Sequence, residues 1–171
     1  MSGDAVRAGL LATAFASTAA LAAPPGEHHT LVRLRDADGK TIEGPVRGDA
    51  FPLWPARACY TWVVHVGGAE RLVNVTERQT TPGPTRFDVG ADIRINDASD
   101  ATEWTRRMVV RDGAVAHTWC VNDADPPGEY HYRVDIDGRF VAVFRFCGIK
   151  LPEGAPPRLG GLSCAKRFLG S

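Results

Sequence analysis

The stretch from Pro126 to Cys147 constrains the fold more than any other in the chain. Tyr130, Tyr132, Val134 and Ile136 alternate with His131, Arg133 and Asp135, the two-residue period of a half-buried strand. Asp137-Gly138 is a hairpin turn signal, and Phe140, Ala142, Phe144 and Phe146 alternate on the return. A plain two-residue loop would set Phe140 opposite Asp135 and Phe144 opposite His131, mixing both faces. A three-residue loop with glycine in the left-handed conformation, forming a G1 bulge, gathers the aromatic side chains of both strands on one face. That is the expected register. An aromatic face of this size needs a second sheet to cover it, so the hairpin predicts a sandwich.

The same signals recur upstream. Leu31 to Arg35 and Lys40 to Val46 read as strands joined at Asp36-Ala37-Asp38-Gly39. Ala58 to Val66 carries Tyr60, Trp62, Val64 and Val66 on one face, and Gly67-Gly68 turns it into Arg71 to Arg78. Ile93 and Ile95 mark a short strand. Thr105 to Arg111 and Ala114 to Val121 form a hairpin about Asp112-Gly113. Pro45, Gly48, Pro52 and Pro55 mark irregular structure in which Phe51, Leu53 and Trp54 plug the core. Asp100-Ala101-Thr102-Glu103 has capping-box spacing, which predicts one helical turn around Trp104. The pattern is that of an all-β antiparallel sandwich of about eight strands, with no amphipathic helix in the mature chain.

Residues 1–22 read as a secretory signal peptide: Arg7 near the start, an apolar run from Ala8 to Ala19, and Ala20-Leu21-Ala22 as the cleavage pattern. The run is too short for a membrane span. Residues 23–29 read as a flexible N-terminus and 30–147 as the sandwich domain. Residues 148–171 are a Gly/Pro-rich tail packed on it. An exported chain with an even number of cysteines predicts disulfides. Cys59, Cys120, Cys147 and Cys164 allow three pairings. Cys59 with Cys120 and Cys147 with Cys164 is the expected one, and a bridge from Cys120 to Cys147 would overturn it. By alternation Cys59 and Cys120 face away from the aromatic side of their strands, which suits a peripheral bridge.

Lys plus Arg and Asp plus Glu number 20 each, so no long-range field favours nucleic acid or an anionic membrane. The two Asp-x-Asp-Gly turns lack a bidentate Glu at the twelfth position, where Arg47 and Phe146 stand, and are read as hairpin turns rather than calcium loops. His65 and His131 fall on outer faces and His117 among packing residues, without zinc-ligand spacing. No nucleophile elbow, phosphate loop or dinucleotide fingerprint occurs. No metal or other cofactor is expected. Trp62 and Trp119 read as core. Trp54 and Trp104, in less regular stretches, are candidates for a binding surface. Val141 and Val143 join them, because they alternate out of the aromatic set and leave an apolar stripe for a partner or for tail residues Leu159, Leu162, Phe168 and Leu169.

Pro55-Ala56-Arg57 leading into a strand, a strand running into a Pro-rich break, Trp119 before a polar loop, and Pro127-Gly128-Glu129-Tyr130-His131-Tyr132 opening the last hairpin occur in a telling order. Over roughly residues 50–147 the chain resembles a family of small exported bacterial proteins of unknown function with an immunoglobulin-like β-sandwich. The spacing departs from true immunoglobulin domains, since Trp62 follows Cys59 too closely to be the usual strand-C tryptophan. The resemblance implies the fold and no catalytic residue. The expected function is a non-catalytic binding or structural module in the periplasm or outside the cell. Its partner would be a protein or another envelope component. The alternative is a small extracytoplasmic hydrolase or enzyme inhibitor.

Overall fold

The computed structural model describes residues 25–87, 90, 92–151 and 158–165. The expected signal peptide lies outside the described residues, as do Phe168 and Leu169 of the tail. Among the described residues ten strands follow in chain order: β1 (His28–Arg35), β2 (Thr41–Arg47), β3 (Ala50–Pro52), β4 (Ala58–His65), β5 (Arg71–Thr80), β6 (Ile93–Ile95), β7 (Ala101–Val110), β8 (Ala114–Cys120), β9 (Gly128–Ile136) and β10 (Arg139–Ile149). They form two sheets, one of order β2-β1-β4-β8 and one of order β3-β10-β9-β5-β7-β6. The inward faces meet in one main core built from alternate residues: Tyr60, Trp62 and Val64 of β4, Val73 and Val75 of β5, Tyr130, Tyr132 and Val134 of β9, Phe144 and Phe146 of β10. The architecture is the expected β-sandwich, with β3 as the one short strand that the pattern did not indicate. β3 runs parallel to the end of β10, so the six-stranded sheet is not purely antiparallel. Phe51, read as an irregular plug, sits in β3 and is fully buried.

The last hairpin reaches the expected register by a different device. Asp137 and Gly138 both have positive φ (49° and 75°), and Ile136 pairs with Arg139 across a two-residue loop. Phe140 then stands opposite Asp135, as such a loop requires. A bulge at Phe140–Val141 absorbs one residue, after which Ala142 faces Val134, Phe144 faces Tyr132 and Phe146 faces Tyr130. The aromatic sets therefore share one face, but Phe140 is expelled from it. It is 54% exposed, with the Arg133 guanidinium 4.4 Å from its ring centroid.

The expected helical turn at Trp104 is a strand instead. β7 pairs with β5 without interruption from Ala101 opposite Thr80 to Val110 opposite Arg71, so ladder bonds along its whole length outweigh one local cap. Asn96 closes the turn before it, its Oδ1 accepting from the Asp100 and Ala101 N–H groups. The tail also differs from expectation. Leu159 is buried in the main core, its N–H donating to Glu43 at 2.8 Å, and the Cys164 N–H donates to Asp49 at 3.2 Å. The described tail thus closes an end of the sandwich beside β2 and β3. Val143 stays exposed.

Candidate functional site

β5 alternates inward Val73, Val75, Glu77 and Gln79 with outward Asn74, Thr76, Arg78 and Thr80. Glu77 is in phase with two core valines and is fully buried. Its surroundings come from three other strands. Trp62 of β4, Trp104 of β7 and Trp119 of β8 all point inward, and all three indole N–H groups donate to its carboxylate. Trp104 reaches Oε1 at 3.1 Å and Trp119 reaches Oε1 at 2.9 Å, while Trp62 donates to Oε2. His117 Nδ1 of β8 stands 3.2 Å from Oε2 and fills the fourth position. An indole nitrogen can only donate, so one carboxylate takes up three donors that would otherwise be stranded in the interior. The His117 ring lies edge-on between Trp104 and Trp119, each at 4.9 Å, and its side chain is 20% exposed. The cage therefore runs from the buried carboxylate to the surface through one imidazole.

A second polar chain lies alongside. The Tyr60 and Tyr132 hydroxyls are 2.8 Å apart, and Gln79 Nε2 donates to Tyr132 at 2.8 Å. Burial pushes the Tyr60, Tyr130 and Tyr132 phenols well above the usual tyrosine range.

The residues singled out from sequence fall in separate places. Cys59 is joined to Cys120 and Cys147 to Cys164. The first pair links directly opposed residues of β4 and β8 on the outer face of one sheet. The second ties β10 to the tail. Trp104 is 1% exposed and bound to Glu77, so it is an interior residue and offers no binding surface. Val141, at the bulge, is half-buried against the main core, which breaks the expected stripe. Val143 is 55% exposed and shares the open surface with Phe140 instead. Trp54 is half-buried beside the Arg57 guanidinium, 5.5 Å from its ring centroid. The acidic turns serve the backbone: Asp36 Oδ1 accepts from the Asp38 and Lys40 N–H groups, and Asp137 Oδ1 from Asn74. Among the described residues, no three His, Cys, Asp or Glu side chains converge as a metal site.

Comparison with protein families finds a match to the family described as the PM0630 beta sandwich domain over residues 24–149. The chain belongs to that family. The match takes in all ten strands, a wider span than the resemblance in sequence suggested. A search of curated proteins finds no match. Within this PM0630 beta sandwich domain, Glu77 is the central residue that alternation alone did not flag. Its signal was present: a carboxylate in the core phase of a strand, with three tryptophans in the core phases of three others.

Proposed function

We propose that the chain is an exported, non-catalytic binding module of the cell envelope. The observation that carries this reading is the state of Glu77. The one fully buried carboxylate among the described residues has its acceptor positions occupied by three indoles and a histidine, with no hydroxyl or thiol among its partners. That is how a carboxylate organises a core, and not how one activates a nucleophile. Both disulfides support an oxidising compartment, and they leave no free thiol for covalent chemistry.

The experiment has two arms. Cell fractionation with intact-mass measurement should recover a doubly disulfide-bonded form beginning near Ala23. Recovery of a soluble form that retains residues 1–22 would remove the export claim. The hydrolase alternative has one observation in its favour, the partly exposed His117 backed by Glu77. A panel of ester and peptide substrates tests it. Turnover by the native chain that disappears in His117→Ala would replace the binding reading.

A further inference from the structure

β1 is regular against β4, so Val32 and Leu34 point inward while Arg33 and Arg35 point outward on the same face. Arg33 stands opposite Cys59. One step further, the Arg35 N–H donates to the Arg57 carbonyl at 2.8 Å, and Arg57 Nε donates back to the Arg35 carbonyl at 3.2 Å. The fold thus sets two arginines directly across from each other and a third two residues along. Like charges opposed across strands are unfavourable. Among the described residues, none of the three guanidiniums is paired with a carboxylate. Arg47, Arg78, Arg86, Arg106 and Arg133 are so paired, while Arg94, Arg107 and Arg145, like these three, are not. The nearest acids in sequence, Asp36 and Asp38, sit in the β1–β2 turn, where Asp36 caps the backbone. The Nε atoms of Arg33 and Arg35 are both buried without a hydrogen-bond partner. Burial and the neighbouring Arg35 hold Arg33 below the usual guanidinium range.

We propose that Arg33, Arg35 and Arg57, with Trp54 at their edge, bind a phosphate-type oxyanion on the outer face of the four-stranded sheet. Planar guanidinium forks match the tetrahedral oxygens of phosphate, and a dianion offsets the repulsion between Arg33 and Arg35. A single carboxylate carries too little charge for that. The inference rests on the reading of the chain as a binding module. It is measured on purified protein, so its failure says nothing about export or turnover.

The test titrates the full chain with inorganic phosphate, against chloride at matched ionic strength, and follows the melting temperature. A saturable rise is expected for the native chain. Arg33→Gln and Arg35→Gln should each weaken the half-saturating concentration about tenfold. Arg145→Gln, exposed on the other sheet, should respond as the native chain does. In phosphate-free buffer at low salt, Arg35→Gln should melt no lower than the native protein, because a like-charged neighbour of Arg33 has been removed. Vesicles of phosphatidylcholine with and without phosphatidic acid separate the sources. Retention on the phosphomonoester lipid, released by free phosphate, assigns a surface-borne group; a response to free phosphate alone assigns a soluble one. An absent phosphate response, or an equal one in the native chain and Arg35→Gln, overturns the proposal.

Discussion

Phe51 and Glu77 are both fully buried between the same two sheets, and their neighbourhoods are held on different terms. Phe51 lies parallel to Tyr60 at 4.2 Å between ring centroids, with Tyr130 and Phe146 tilted around it at 5.5 and 6.5 Å. Shape and dispersion hold that end, and the second disulfide and Leu159 close it. Around Glu77 the large residues are tryptophans, whose apolar bodies favour the interior while their N–H groups do not. Burying three of them requires three acceptors, and one carboxylate supplies them. The aromatic end should therefore answer to lost volume, and the tryptophan end to lost acceptors even where volume is kept.

Glu77→Leu breaks this comparison most directly. Volume is nearly kept, but three indole N–H groups lose their acceptor, at about 1–3 kcal/mol each. A loss of about 5 kcal/mol in urea unfolding is expected, or failure to fold. Native-like stability would mean that the cage is incidental. Glu77→Gln should fall between, because its amide NH₂ would face donors.

Raising the pH should act on the aromatic side. The chain has three tyrosines, Tyr60, Tyr130 and Tyr132, and all are buried with raised phenol pKa values. Inside they stay neutral; unfolded, each titrates near pH 10. Their contribution is complete below pH 10 and is lost as the pH climbs above it. At pH 11 the three together should cost roughly 4 kcal/mol. Absorbance at 295 nm should show all three phenols ionising in step with loss of the fold. A tyrosine that titrates near pH 10 in the intact protein would show that its ring reaches water.

Phe51→Ala removes a ring from the stack and leaves a cavity that β3, tied to the end of β10, cannot fill. About 3–4 kcal/mol should be lost. Phe51→Leu should recover most of that. If both substitutions cost the same, volume is not what holds this end.

The two ends also differ in how far they could be read from residue order. Alternation in Tyr130–Ile136 and Phe140–Phe146 indicated the aromatic face, because each side chain there is apolar by its own identity. The difference is local: alternation places Phe140 in the core, whereas the turn takes two residues and a bulge restores the register. A bulge is a backbone choice that leaves little trace in residue type. The tryptophan cage was harder to see, since its sense is relational. Glu77 by itself reads as an outward charge, and Trp104 followed a capping-box signal that pairing with β5 overrode. Only the register of four strands shows that three indoles need one acceptor. The arginine cluster is likewise invisible in residue order, because Arg35 at the end of β1 and Arg57 just before β4 are far apart in the chain and meet only once those strands pair.

The smallest effect lies where the two regions meet. Tyr60 belongs to the aromatic stack by its ring and to a polar chain by its hydroxyl, which sits 2.8 Å from Tyr132 Oη. Tyr60→Phe keeps the stacking on Phe51 and removes one oxygen. The Tyr132 oxygen keeps one partner, since Gln79 Nε2 still donates to it at 2.8 Å, and only the hydroxyl–hydroxyl bond is lost. The cost should therefore be that of one lost hydrogen bond, about 1 kcal/mol. Tyr132→Phe should cost more, because it leaves both the Gln79 amide and the Tyr60 hydroxyl without their partner. Urea midpoints of the two variants, at pH 7 and with both disulfides intact, measure the difference. Equal costs would mean that Gln79 finds another acceptor, and the polar chain would then end at the tyrosines.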